Sequence, residues 1–85
     1  MARYRLLFKK SVAKDLRAIP KKDVQRILKR IEALPDDPSP DGCEKLTEQE
    51  RYRVRQGLYR VVYEIKDDML VVTVVKVAHR SEVYR

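Results

Sequence analysis

Apolar positions change their spacing twice along this 85-residue chain. A short run over residues 4–8, with Tyr4 and Phe8 at its ends, predicts a first strand. Val12, Ala13, Leu16 and Ile19 then recur at three- and four-residue intervals, which predicts a helix starting near Ser11. Pro20 cannot lie inside that helix, because it lacks an N–H and clashes with the preceding turn, but it suits the first turn of a second one. The second helix carries Val24, Ile27, Leu28, Ile31 and Leu34 as one apolar stripe, opposite a basic face of Lys22, Arg26, Lys29 and Arg30. Two such helices form an antiparallel hairpin that must cover something flat.

Residues 35–42 hold three prolines and a glycine and read as a loop. Beyond them the period falls to two. Residues 51–56, 58–65 and 69–77 predict three strands, joined by turns at Gln56-Gly57 and Asp67-Asp68. The expected architecture is α+β: an N-terminal strand, an antiparallel helical hairpin, then a three-stranded antiparallel meander with the helices packed on one sheet face. The pairing of the first strand stays open. A chain this short buries roughly 60–65% of its unfolded surface and builds one core, so a single domain over residues 1–85 is expected. A multidomain enzyme and a large internal cofactor pocket are excluded.

Charge narrows the partners. Twenty Lys and Arg against 13 Asp and Glu leave a net charge of +7, which points to nucleic acid, an anionic membrane or an acidic protein. No apolar run approaches the ~18 residues of a membrane span, and no apolar segment of signal-peptide type follows the N-terminus. The single cysteine, Cys43, cannot form an internal disulfide, so a reducing cytoplasmic setting is expected. Cys43 sits beside Glu44, a poor setting for a thiolate nucleophile, and reads as structural. His79 is the only histidine, so no His-based metal cluster or Ser-His-Asp triad can be built. Two glycines in total make a phosphate-cradling loop improbable, and no cofactor or metal is expected.

The hairpin is the informative part. With Gln56-Gly57 as its loop, Arg55 pairs with Leu58, Val54 with Tyr59, Arg53 with Arg60 and Tyr52 with Val61. Tyr52, Val54, Tyr59, Val61 and Tyr63 then face the helices, while Arg51, Arg53, Arg55 and Arg60 share the other face. Like charges directly opposed across a sheet are destabilising, so Arg53 across from Arg60 calls for a reason. A solvated face partnered by Glu50 and Glu64 is one. An anion site preorganised on rigid strands is the other, and the favoured one. The basic helix face reads as solvated surface that can also guide a polyanion. At the C-terminus, His79, Arg80 and Tyr84 add a polar aromatic group to a basic patch, a combination that stacks on bases.

The stretch Tyr52-Arg53-Val54-Arg55-Gln56-Gly57-Leu58-Tyr59-Arg60-Val61-Val62-Tyr63 and the ending Val77-Ala78-His79-Arg80-Ser81-Glu82-Val83-Tyr84 resemble the RelE/ParE superfamily of toxins from type II toxin–antitoxin pairs, more closely its RelE branch. The strand at 4–8, the segment 10–16 and Lys45-Leu46 before the meander extend the resemblance nearly end to end. It implies a ribosome-dependent mRNA endonuclease acting in the A site of the 30S subunit. In that family the mRNA 2′-OH attacks its adjacent phosphate and the 5′-oxygen leaves. Arg60 matches the family's phosphate-stabilising arginine, and Arg53 and Arg55 fall where relatives carry two lysines, one of them a proposed base. Arg80 lies near a proton-donating arginine, and Tyr84 matches a tyrosine that stacks on the substrate. Arg51, Lys45, Lys22, Arg26, Lys29 and Arg30 are the expected RNA-binding fringe.

Two departures follow. Arginine stays protonated and is a poor base where lysine could be tuned, and the C-terminal block is slightly shorter than in the lysine-bearing branch. His79 is a substitute for acid–base work, because imidazole suits proton transfer near neutral pH. The resemblance also implies a cognate acidic antitoxin, with operator DNA bound only indirectly through the complex, and no membrane. A different class of function is a non-enzymatic toxin of the ParE branch that binds DNA gyrase. That branch generally lacks the terminal His-Arg and Tyr set. A plain basic RNA-binding domain is a third reading.

Overall fold

Strand β1 (Arg5–Phe8), helices α1 (Lys10–Arg17) and α2 (Lys21–Glu32), and strands β2 (Glu44–Leu46), β3 (Arg51–Gln56), β4 (Tyr59–Lys66) and β5 (Val71–His79) follow one another in the computed structural model, which describes residues 3–40, 42–46 and 51–79. The strands form one sheet in the order β1-β5-β4-β3-β2. The expected meander is therefore its centre, β3-β4-β5, with an added strand on each edge. β1 pairs in parallel with β5, from Arg5 opposite Val71 to Phe8 opposite Val74, which settles the question the sequence left open. β2 was not expected: three residues are too few for a period, and antiparallel pairing with β3 makes it a strand.

Both helices feed one core. Val12 of α1 and Ile27 and Ile31 of α2 cluster with Leu34 and with Val54, Val61, Tyr63, Ile65, Val72, Val74 and Val77 from the sheet. Pro20 stands at the N-cap of α2, just before the first turn. α1 lies along β5, and one contact explains its only aspartate. β1 stops pairing at Phe8, so the outer edge of β5 continues without a strand neighbour, and Asp15 Oδ2 accepts the Val77 N–H at 3.2 Å. An amide left unsatisfied there would cost about 1–3 kcal/mol.

Two registers differ from strict alternation. Between β4 and β5, Val62 opposes Lys76 while Tyr63 opposes Val74, so Val75 is an extra residue in a β-bulge. The bulge resets the alternation, placing Val72, Val74 and Val77 in the core and Lys76 outside it. In the β3–β4 hairpin the loop is Gly57-Leu58, one residue later than expected, and Gln56 pairs with Tyr59. Gly57 has φ +61 and Leu58 does not have a positive φ, the pattern of a II′ turn with glycine at its first central position. The expected opposition of Arg53 and Arg60 is thereby corrected: Arg53 opposes Val62, and Arg55 opposes Arg60. The membership of each face survives, because the partner shifts by two residues and the side-chain period is two. At the other end of β4, Met69 and Leu70 belong to the turn and β5 begins at Val71.

Candidate anion-binding cleft

The alternation of β3 turns Val54 into the core and sends Arg51, Arg53 and Arg55 to the sheet face away from the helices. Arg60 joins them from β4, across from Arg55, and is only 2% exposed. On the other side of β3, Glu44 of β2 stands opposite Arg53, and their side chains meet with Nη2–Oε2 at 2.5 Å. Arg51 is paired along the same face by Glu64, Nε–Oε2 3.3 Å. The like-charged face thus carries two carboxylates at its margin.

Arg53, Arg55, Arg60 and Glu44 line a cleft of about 360 Å³ together with Gly42 and Arg30. Arg30 reaches it from α2, so a residue of the basic helix face belongs to the site. The cleft holds four guanidinium groups around one opening. Guanidinium presents planar paired donors and keeps its charge, which suits a phosphate whose negative charge grows during reaction. Because three of the four stand on paired strands, little reorganisation is needed to receive it.

Glu44 is the site residue that sequence reasoning missed. Its signal was weak: one acid before Lys45-Leu46, after a proline-rich loop. The loop delivers it by two devices. Gly42 has φ +88, a left-handed conformation that L side chains rarely adopt, and turns the chain into β2. Tyr63, fully buried in β4, donates from its hydroxyl to the Pro38 carbonyl at 2.7 Å and ties the loop to the core. Burial pushes the Tyr63 phenol far above its ordinary value of 10.0, with neighbouring Cys43 adding to the rise.

The other expected residues are distributed. Lys45 pairs with Tyr52 and so lies on the helix-side face. Lys22 and Lys29 are exposed on α2, and Arg26 lines a separate pocket with Asp23, Gln56 and Tyr59. His79 opposes Tyr59 in the β4–β5 ladder and meets its ring edge-on, centroids 5.7 Å apart at 87°. It therefore stands on the core side of the sheet, beside Lys14 and Asp15, away from the arginine cleft. The Tyr59 phenol is raised, first by desolvation and then by Asp23. Arg80 and Tyr84 lie outside the described residues. Among the described residues no group of three His, Cys, Asp or Glu could hold a metal ion, and no helix is long and apolar enough to cross a membrane.

A two-helix cover on a five-stranded sheet, with arginines massed on the opposite face, is the build of a small toxin fold. The profile of the family described as ParE toxin of type II toxin–antitoxin system, parDE, matches residues 6–84. The chain belongs to this family, and so to the RelE/ParE superfamily of toxins. Solved structures agree. The RelE–RelB complex of Pyrococcus horikoshii aligns at 32% identity and TM-score 0.81, covering 91% of this chain and 94% of that one. The Methanococcus jannaschii RelB–RelE antitoxin–toxin complex aligns at 29% identity and TM-score 0.74, covering 92% and 94%. A mutant of the Escherichia coli toxin RelE in the free state aligns at 27% identity and TM-score 0.78, covering 99% and 92%. A search among curated proteins by sequence returned no match.

Proposed function

We propose that this toxin inhibits translation as a ribosome-dependent endoribonuclease, cutting mRNA in the A site of the 30S subunit. The observation that carries the reading is Arg60, 2% exposed and facing Arg55 in a cleft shared with Arg53 and Arg30. Such a cluster stabilises a doubly charged phosphorane-like state as the 2′-OH attacks the adjacent phosphate and the 5′-oxygen leaves. Arg60 supplies the main electrostatic term, and Arg53 and Arg55 hold the phosphate by charge. Arg80 as proton donor and Tyr84 as stacking platform keep the roles the resemblance implies. Arg51, Lys45, Lys22, Arg26 and Lys29 form a wider basic fringe for ribosomal or messenger RNA. The acting compartment is the cytoplasm.

The partner is a cognate acidic antitoxin, consistent with the RelE complexes with RelB among the structural relatives and with the charge of +7. Operator DNA is met only through that complex. A second reading, a non-enzymatic toxin that binds DNA gyrase, is favoured by the ParE description of the matching family.

Primer extension on ribosomes stalled with a defined A-site codon separates the two. The expected result is codon-dependent cuts that fall about 10²-fold or more in Arg60→Ala. An absence of cuts, with gyrase supercoiling inhibited, would overturn the proposal in favour of the second reading.

A further inference from the structure

The cations of the arginine face continue past β4. Across the sheet, Arg53 of β3 opposes Val62 of β4, and Val62 opposes Lys76 of β5. Directly opposed residues share a face, so Lys76 stands on the same side of the sheet as Arg53, Arg55 and Arg60. It is also the diagonal neighbour of Arg60, which opposes Ala78, two residues further along β5. Long side chains reach across such a diagonal, and the methyl of Ala78 puts little between them. Val62, with Arg53 and Lys76 on either side, is 8% exposed on the face away from the helices, which suits alkyl stems lying over it.

The β-bulge at Val75 is what aims this lysine. By strict alternation from Val72 and Val74, position 76 would point into the core and position 77 out of it. The extra residue reverses both, burying Val77 and leaving Lys76 exposed on the arginine face. Bulges re-aim side chains in this way beside functional sites. Two arginines of the face already hold carboxylates, Arg51 with Glu64 and Arg53 with Glu44. Among the described residues no ion pair involves Lys76. β1 ends opposite Val74, so no further strand flanks it either.

We propose that Lys76 forms a second phosphate subsite on the β5 side of the cleft, holding the mRNA phosphate next to the one that is cut; this rests on the endoribonuclease reading above. The two kinds of cation suit two tasks. Guanidinium offers a fixed fork of donors, fitted to a phosphate whose charge grows during reaction. Ammonium is a point charge on a flexible stem, adequate for a phosphate that only has to be held. Holding a neighbouring phosphate sets the register of the strand on the cleft without entering the chemistry. Lys76 is thus a binding residue, and its loss should weaken affinity and spare the rate of the bound complex.

The test measures equilibrium binding of labelled toxin to ribosomes whose mRNA carries a 2′-deoxyribose at the cut position mapped with wild type. Wild type, Lys76→Gln and Lys76→Arg are compared, with thermal unfolding followed in parallel. Each titration is repeated with a neutral methylphosphonate replacing, one at a time, the phosphates on either side of the scissile one. Expected are a loss of affinity of about 10-fold in Lys76→Gln and recovery of most of it in Lys76→Arg. On one of the two methylphosphonate messages wild type should lose as much, and Lys76→Gln should lose nothing further, because both changes remove one contact. Cleavage of ordinary mRNA at saturating Lys76→Gln should stay within about threefold of wild type.

Unchanged affinity in Lys76→Gln overturns the proposal and leaves a solvated lysine. Losses that add at both methylphosphonate positions also overturn it, because the amine then serves ribosomal RNA. A saturating rate that falls about 10²-fold would place Lys76 on the scissile phosphate and overturn it as well. In each of these cases cleavage by wild type leaves the endoribonuclease reading standing. Failure of the wild type itself to cut overturns that reading, and this proposal with it.

Discussion

Arg55 and Arg60 stand directly opposite one another across the β3–β4 ladder, Arg55 exposed and Arg60 buried. Directly opposed like charges weaken a sheet by a few tenths of a kcal/mol or more, and burial of one partner reduces solvent screening. On the reading proposed above, an incoming phosphate converts the repulsion into two favourable contacts. The expected outcome for Arg55→Thr is a protein about 0.5 kcal/mol more stable by urea denaturation at low salt, with the gain shrinking as salt rises. On the reading proposed above, the same variant should cut mRNA more slowly. Stability and activity moving in opposite directions is the signature of strain kept for function.

The turn that creates this opposition depends on one glycine. Gly57 has φ +61, and a Cβ built there meets nothing within 4 Å. Any effect of Gly57→Ala is therefore backbone strain and not a clash. The expected loss is about 1 kcal/mol in urea denaturation, the left-handed cost for an L residue. On the reading proposed above, ribosome binding by the folded fraction should be unchanged, because no side chain of the cleft is removed.

Much of the architecture was legible because it repeats. The stripe from Val24 to Leu34 and the alternation around Val54, Val61 and Tyr63 each span enough residues for a period to be read, and the structure buries most of them. Features set by single tertiary events were not legible. β2 exists through its pairing with β3, and Val75 is bulged through the mismatch of β4 with β5. The hairpin loop was displaced by one residue, since Gln56 serves equally as turn or strand, yet the arginine face was assigned correctly by parity. Glu44 as a cleft residue, and the face that His79 occupies, were not legible for a related reason. Which face each occupies follows from a register partner, Arg53 for one and Tyr59 for the other, and neither pairing is written in local sequence.

Tyr63 links core to cleft, and its removal should be felt in both. The hydroxyl donates to Pro38 at 2.7 Å, holding the loop that carries Gly42 and Glu44. Tyr63→Phe leaves the ring in place and deletes that bond, for an expected loss of about 1 kcal/mol in stability. On the reading proposed above, cleavage should fall as well, since Gly42 and Glu44, which line the cleft, are less firmly held.

The same phenol gives alkaline pH a definite sign. Its folded pKa lies well above the ordinary 10.0, so the native state holds the proton after the unfolded chain has released it. Protonation then favours the native state less with each step in pH. Stability is full below pH 10 and falls progressively above it. In spectrophotometric titration, the Tyr63 phenolate should appear only as the protein unfolds, and the Tyr63→Phe variant should show a shallower alkaline decline.

Asp15 offers a test of the fold that leaves the cleft untouched. It lies on α1, and its carboxylate accepts the Val77 N–H at 3.2 Å where β5 has run past the end of β1. That bond is part-buried and Val77 itself is 2% exposed, so water does not replace a lost partner cheaply. Asp15→Ala removes the acceptor, and the expected cost is about 1–3 kcal/mol. Asp15→Asn keeps a carbonyl acceptor and should recover most of it, losing only the charge assistance. Amide hydrogen exchange discriminates the two variants residue by residue. In Asp15→Ala the Val77 amide should exchange markedly faster than in wild type, while the amides of β3 and β4 change only by the global loss. An unchanged Val77 rate in Asp15→Ala would mean that the edge of β5 is protected by something other than this carboxylate.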